Sequence, residues 1–213
     1  MTLQLVLMSG SWTSAHRRDE YLQAARLAID PDRVGLALDL TPGIAVADVV
    51  LSEIDVDRNG LISVGEARAY SDRVLSAIAL DVDGIPLRVE LVESTFPTFD
   101  SVRNGEGTAR IHAKASMPRL ADGLHHLRYR NAYRSDIGVY LANALVPASD
   151  RVAITAQHHS AEQRELMIDY KLHAETTTPP WPWIAAAAVL ALALVVVRPV
   201  PRQSMDATTE GRS

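Results

Sequence analysis

Residues 55–66 place an oxygen-bearing group at six positions of a twelve-residue stretch. Gly60 stands at the sixth position, where a chain wrapped around an ion must turn sharply into a conformation that a side chain resists. Ca²⁺ binds six to eight oxygens at about 2.3–2.6 Å, and this spacing is typical of a loop that gathers that many around one point. The sequence therefore predicts a calcium site with six ligands, namely Asp55, Asp57, Asn59, the Leu61 carbonyl, Ser63 (directly or through water) and bidentate Glu66.

A loop of this pattern, an EF-hand loop, needs a helix on each side. Apolar spacing predicts a short entry helix within residues 44–54 and an exit helix from Val64 to Ile78. Two other interpretations remain open at this point. Ser63 and Glu66 also match a capping box, which alone would explain both residues at a helix start. A stretch rich in Asp, Asn and Gly is also typical of an ordinary solvated turn.

Alternation of apolar and polar residues on both sides of the loop predicts a mainly β domain. Residues 21–29 and 33–40 read as a hairpin joined by Asp30-Pro31-Asp32, and Asp83-Gly84 predicts a second hairpin between 80–82 and 87–92. Further strands are predicted at 109–116, 123–132, 139–145, 151–157 and 164–173. About eight short strands separated by turns favour a β-sandwich-like fold. The helix-loop-helix would be an insertion at 44–80, between the second and third strands.

An uncharged apolar run near the C-terminus predicts a membrane anchor. Residues 181–197 carry no charge, and as a helix they cover about 25 Å, slightly less than a hydrocarbon core of about 30 Å. Trp181 and Trp183 lie at the start of the run, and Arg198 and Arg202 follow it. We therefore expect a spacer and single transmembrane helix at 179–202 and a cytoplasmic tail at 203–213. A buried core helix is the alternative.

That orientation places residues 16–178 outside the cytoplasm and calls for an export signal. Residues 3–8 are apolar, and small residues follow at Thr13-Ser14-Ala15. This predicts a signal peptide at 1–15, cleaved before His16. The alternative is a cytoplasmic N-terminal strand. The predicted location is the cell membrane, with one membrane pass and the N-terminal domain extracytoplasmic.

Composition argues against several functional classes. A formal net charge of −5 argues against nucleic acid as a partner, because that partner demands a basic surface. The chain has no cysteine, so it has neither disulfides nor thiolate metal sites. Arg128, Arg130 and Arg134 could form a patch that binds anions or nucleic acid, but we interpret them as a solvated strand face beside acidic residues. No nucleophile elbow, phosphate-binding glycine loop or zinc-protease motif is found, which predicts a non-enzymatic protein.

Three segments carry a resemblance to a known family. Residues 16–24, 40–47 and 139–144 resemble the extracytoplasmic domain of bacterial HupE/UreJ-type membrane proteins, within a likeness that spans most of residues 16–173. In that family several membrane helices implicated in nickel handling often follow this domain. Only one predicted helix follows it here, so the resemblance implies a soluble domain on a membrane stalk, with a membrane transporter as a candidate partner.

The resemblance also makes His16 a candidate ligand. After cleavage at Ala15, its free amine and imidazole would chelate Cu²⁺, Ni²⁺ or Zn²⁺. A third ligand could come from one of four other histidines, namely His125, His126, His158 or His159. The leading hypothesis is a membrane-anchored module with structural Ca²⁺. The alternatives are an accessory domain for transition-metal capture or transport, and an adhesion or scaffold domain with a vestigial loop.

Overall fold

The computed structural model describes residues 19–175, which form ten strands and three helices. The strands are β1 (Tyr21–Ile29), β2 (Arg33–Pro42), β3 (Ile78–Val82), β4 (Ile85–Pro86), β5 (Val89–Thr95), β6 (Ala109–Ser116), β7 (Gly123–Asn131), β8 (Gly138–Ala144), β9 (Val152–His159) and β10 (Glu165–Leu172). The helices are α1 (Ala47–Ile54), α2 (Val64–Ser76) and α3 (Phe99–Arg103).

Two five-stranded sheets account for all ten strands. The first sheet has the order β5-β6-β2-β1-β8, and the second has the order β4-β3-β7-β10-β9. Pairing is antiparallel except between β1 and β8, which run parallel. Period-2 alternation sets the faces of each strand, so β10 buries Leu166, Ile168, Tyr170 and Leu172 and turns the residues between them outward.

One hydrophobic core joins the two sheets and the two longer helices. Leu27 and Ile111 from the first sheet belong to the same buried cluster as Leu127 and Ile168 from the second. The sheets therefore pack face to face, and the predicted sandwich-like β architecture is confirmed. Aliphatic side chains and buried tyrosines fill this core, as expected for a chain with only two Phe and three Trp.

The two helices lie between β2 and β3, where the insertion was predicted. Val50 and Ile54 on α1, and Tyr70 and Val74 on α2, enter the central core cluster. Their i, i+4 spacing puts each pair on one helix face. α1 begins three residues later than predicted because residues 43–46 form a turn, in which the Val46 N–H donates to the Gly43 carbonyl at 3.1 Å.

The prediction that residues 80–82 and 87–92 pair as a second hairpin is wrong. The Asp83-Gly84 turn does reverse the chain, but β3 pairs with the two-residue strand Ile85–Pro86. One further backbone bond follows, from the Leu87 N–H to the Leu80 carbonyl at 2.8 Å, after which the chain leaves β3. Residues 89–95 instead cross to the first sheet and pair with β6. The predicted count of eight strands is also too low. The insertion ends before Ile78 rather than at residue 80, because β3 begins at Ile78.

Several predictions lie outside the described residues. These are the signal peptide at 1–15, His16, the transmembrane helix at 179–202 and the tail at 203–213. Within residues 19–175 no helix combines the length and apolarity that crossing a bilayer requires.

Candidate metal centre

Three carboxylates converge between the end of α1 and the start of α2. One oxygen from each of Asp55, Asp57 and Glu66 lies within 4.8 Å of the other two. Asp55 directly follows α1 and is buried, with 4% exposure, whereas Asp57 is exposed and Glu66 is half-buried. Within residues 19–175 this is the one group of histidine or carboxylate side chains that meets so closely.

Acceptor oxygens of the loop hold its backbone in shape. The Asp55 carboxylate accepts from the Asn59 N–H at 3.1 Å and the Gly60 N–H at 2.9 Å. The Asp57 carboxylate accepts from the Asn59 backbone at 3.1 Å and from its side-chain amide at 2.9 Å. The side-chain oxygen Oδ1 of Asn59 in turn accepts from the Leu61 N–H at 2.8 Å. These are the short-range turns that Asp and Asn side chains favour.

Two residues of the loop adopt left-handed backbone conformations. Arg58 has φ 59° and Gly60 has φ 78°. The turn at Gly60 is the reason for glycine there, since a residue with a Cβ would cost roughly 1–2 kcal/mol in that conformation. A Cβ at Gly60 would meet no atom within 4 Å, so the restriction is conformational rather than steric crowding.

Glu66 connects the start of α2 to the start of the loop. One of its oxygens, Oε2, accepts from the Ser63 N–H at 3.0 Å and the Ser63 hydroxyl at 2.7 Å. The Glu66 N–H donates back to Ser63 Oγ at 3.3 Å, which completes a capping box. Its other oxygen, Oε1, accepts from the Val56 N–H at 2.8 Å. The bonds from Ser63 lower the pKa of Glu66, so the carboxylate is charged at neutral pH. The capping role and a ligand role are therefore compatible.

The predicted ligands are thus partly assembled. Asp55, Asp57 and Glu66 come together, and Asn59 and Ser63 hydrogen-bond directly to members of this group. Leu61 has an exposed side chain, as expected of a residue that would contribute only its backbone carbonyl. Each carboxylate has about four lone-pair positions, so the N–H bonds leave room for a cation. A group of oxygen donors without nitrogen or sulfur suits a hard divalent ion.

A partly buried polar network, which sequence analysis missed, ties both helices to the sandwich. Glu53, two residues before the loop, accepts from the Tyr133 hydroxyl at 2.7 Å and also bonds Arg134. The Tyr70 hydroxyl on α2 lies 2.7 Å from that of Tyr21 on β1. Burial raises the pKa of both Tyr21 and Tyr70, so their hydroxyls stay protonated. No local motif marks these residues, because Tyr133 and Glu53 lie 80 positions apart.

The four histidines suggested as partners for His16 have different environments. His125 is enclosed, with Nδ1 2.7 Å from Asp83 and Nε2 2.7 Å from the Ala121 carbonyl. Burial opposes charging of this ring, but the bonds to Asp83 and Ala121 outweigh it and raise the pKa of His125. His159 Nε2 lies 2.8 Å from the Ala142 carbonyl. His126 and His158 instead both face Asp169.

The arginines of the suggested patch are neutralised by carboxylates. Arg128 pairs with Asp81 at 2.8 Å and Arg130 with Glu165 at 3.2 Å, and both arginine side chains are exposed. The solvated-face interpretation holds for these two. It is wrong for Arg134, whose side chain is only 18% exposed because it is held between Glu53 and Asp136. The bond from Arg134 lowers the pKa of Asp136 to about 2.

Comparison with known proteins gives no match. No family model, no curated protein and no solved structure matches this chain. The resemblance to the HupE/UreJ-type domain, and the assignment of the loop to the EF-hand class, stay predictions from the residues themselves.

Proposed function

We propose that this protein is a non-enzymatic calcium-binding module in which Ca²⁺ has a structural role. The observation that carries the proposal is the convergence of Asp55, Asp57 and Glu66 at the first, third and twelfth positions of one loop. The oxygen donors favour a hard ion, and the spacing of the donors favours Ca²⁺ over the smaller Mg²⁺, which demands near-ideal octahedral geometry. Asn59, Leu61 and Ser63 would complete the coordination.

A structural role follows from what the loop connects. Ca²⁺ would offset the mutual repulsion of three carboxylates and so fix the end of α1 relative to the start of α2. Both helices are already held against the sandwich, α1 through Glu53 and α2 through Tyr70. A sensor would need these helices to reorient and expose apolar surface. Here Ile54 and Val74 belong to the central core, so that reorientation would open the core itself.

The test is calorimetric titration of the purified full-length chain with Ca²⁺, and with Mg²⁺ and Ni²⁺ for comparison. We expect one Ca²⁺ site. Asp57→Asn should weaken it at least about tenfold, because the number of charged ligands sets affinity in such loops. The matched control is Asp72→Asn, which removes the same charge from the exposed surface of α2, outside the loop. Absence of Ca²⁺ heat in the wild type would refute the proposal.

We further propose that the module is anchored to the cell membrane by residues 179–202, with residues 16–178 extracytoplasmic and no nucleic acid as partner. The support is the uncharged run at 181–197 and the arginines that follow it. The expected result is that the full-length chain stays in the membrane pellet after alkaline washing and that protease added outside the cytoplasm digests the domain. Release of the full-length chain by the wash would contradict the anchor.

The alternative function, transition-metal capture at His16 as an accessory to a membrane transporter, depends on where the mature chain begins. It requires His16 at the free N-terminus, because the chelate uses the α-amine. N-terminal sequencing of the mature protein decides this, since any other start removes the chelate.

A further inference from the structure

A second group of side chains with metal-binding chemistry lies on the second sheet, and we call it the imidazole cluster. It consists of His126 on β7, Asp169 on β10 and His158 on β9. β10 lies between the other two strands. Asp169 is directly opposite His126, and His158 is opposite Met167, two residues before Asp169. All three side chains therefore project from one face of the sheet.

Both imidazoles of the cluster approach the same carboxylate. His126 Nδ1 lies 2.7 Å from Asp169 Oδ1, and His158 Nε2 lies 3.2 Å from Asp169 Oδ2. The His126 and His158 side chains are 61% and 62% exposed, whereas Asp169 between them is 26% exposed. Bonding from His126 lowers the pKa of Asp169, which keeps this carboxylate charged.

We infer that the imidazole cluster binds one borderline divalent transition metal, of the class Zn²⁺, Ni²⁺ or Cu²⁺. Two imidazole nitrogens and one carboxylate oxygen form a ligand set that this class prefers, and water or an exogenous group can take the remaining positions. Ca²⁺ is a hard ion that prefers an all-oxygen site, so the cluster and the loop differ in selectivity. The two nitrogens now meet different oxygens, and the three ligand atoms do not all lie within 4.8 Å of one another, as those of the acidic loop do. Metal binding would therefore require the exposed rings to turn toward a common point above Asp169.

The surroundings of the cluster leave space for further ligands. An open depression of about 550 Å³ adjoins His126 and is lined also by Met167, Arg128 and Asp81. The charge of Arg128 is compensated by its 2.8 Å bond to Asp81. Met167 is 43% exposed and is the strand partner of His158, so its side chain lies on the same face of the sheet as the cluster.

The experiment is calorimetric titration of the full-length chain with Zn²⁺ in saturating Ca²⁺, which occupies the acidic loop if that loop binds calcium. The variants are His126→Ala and His158→Ala. The matched control is His112→Ala, because His112 is an exposed histidine that faces a single carboxylate, Glu93 at 3.7 Å, on the other sheet. A fourth variant, His16→Ala, removes the alternative chelate.

We expect one Zn²⁺ site in the wild type. Loss of a group that only hydrogen-bonds to a metal ligand costs about 10–100-fold in metal affinity. Each cluster variant should therefore weaken binding at least tenfold, and His112→Ala should leave it unchanged. Absence of Zn²⁺ binding, unchanged affinity in both cluster variants, or loss of the site in His16→Ala alone would overturn the inference.

A second measurement keeps the inference testable if a variant folds poorly. In long-range ¹H–¹⁵N spectra of the wild-type imidazoles, Zn²⁺ should shift the ring signals of His126 and His158 and leave those of His112 in place. Shifts confined to other histidines would refute the assignment. Neither outcome depends on the calcium proposal, because the two sites share no residue.

Discussion

Changing Glu66 to Gln tests the calcium proposal at the residue where two roles meet. Glu66 caps α2 by bonding Ser63, and its carboxylate belongs to the converging group. Gln at this position of a capping box also accepts from the cap residue, so the helix start should survive. The amide has one oxygen and no charge, so the bidentate carboxylate ligand is lost. The substitution therefore separates capping from metal binding.

The expected magnitude follows from linkage between binding and folding. Modules of the extracellular class bind Ca²⁺ with Kd of about 10⁻⁴–10⁻³ M. At about 10 mM Ca²⁺ such a site adds about 1.4–2.7 kcal/mol to the free energy of unfolding. For a protein of this size that corresponds to a rise in Tm of about 3–11 °C. The whole domain should show the rise, because Val50 and Tyr70 pack in the central core, so unfolding of the domain must also release the ion.

The assay is scanning calorimetry of the full-length chain in Ca²⁺, in Mg²⁺ and in a calcium chelator. The wild type and the control Asp72→Asn should show the same rise in Ca²⁺, since Asp72 contacts Arg68 on the exposed surface and lies outside the loop. Glu66→Gln should show almost none. A rise of wild-type size in Glu66→Gln would refute the assignment of Glu66 as a ligand. Equal Tm values for the wild type in Ca²⁺ and chelator would favour the scaffold with a vestigial loop.

Three further predictions concern the framework around the site. Glu53→Gln removes the charge that Tyr133 and Arg134 contact. It should lower the free energy of unfolding in urea by about 1–2 kcal/mol, which is less than the value for a fully buried charged hydrogen bond because Glu53 is partly exposed. His125→Asn should lower the free energy of unfolding most at pH values between the lowered pKa of Asp83 and about 6.5. Because the folded-state pKa of His125 is raised, its charged ring stabilises the fold fully below the unfolded pKa of about 6.5, and this contribution is lost as pH rises through the higher folded-state pKa. A destabilisation by His125→Asn that grows as pH rises would contradict this. Ile111→Ala empties a fully buried position and should lower the free energy of unfolding by about 2–5 kcal/mol in the same assay. Val92→Ala, at an exposed position, should lower it by less than about 0.5 kcal/mol.

The strands could be predicted where alternation and turn chemistry agree. β1 and β6 begin and end where the sequence pattern places them, and the β1–β2 hairpin turns at Asp30-Pro31-Asp32 as expected. β5 shows the limit of this reasoning. Alternation marks a segment as a strand but carries no information on its partner, so the pairing of β5 with β6 rather than β3 could not be read from the pattern. The parallel pairing of β8 with β1 was undetectable for the same reason.

The acidic loop was determined by the sequence alone because everything that shapes it lies within twelve residues. Its turns are made by Asp55, Asp57 and Asn59 bonding to nearby N–H groups, and Gly60 supplies the left-handed turn. Local backbone chemistry of this kind needs no distant partner. A short-range pattern can therefore specify both the shape of the loop and the oxygen donors it offers.

The supports of the loop and the imidazole cluster were decided only by the tertiary structure. Glu53 meets Tyr133 across 80 positions, and His126 meets Asp169 across 43. Glu53 lies on α1 and Tyr133 in the turn after β7, so the first pair depends on how the helix packs against that turn. The second pair depends on the order and register of strands, and a shift of one residue would turn either of its members to the other face of its strand. Register is set by how the whole core packs. The sequence therefore determined which chemistry each residue can offer, while the folded sandwich decided which residues share a site.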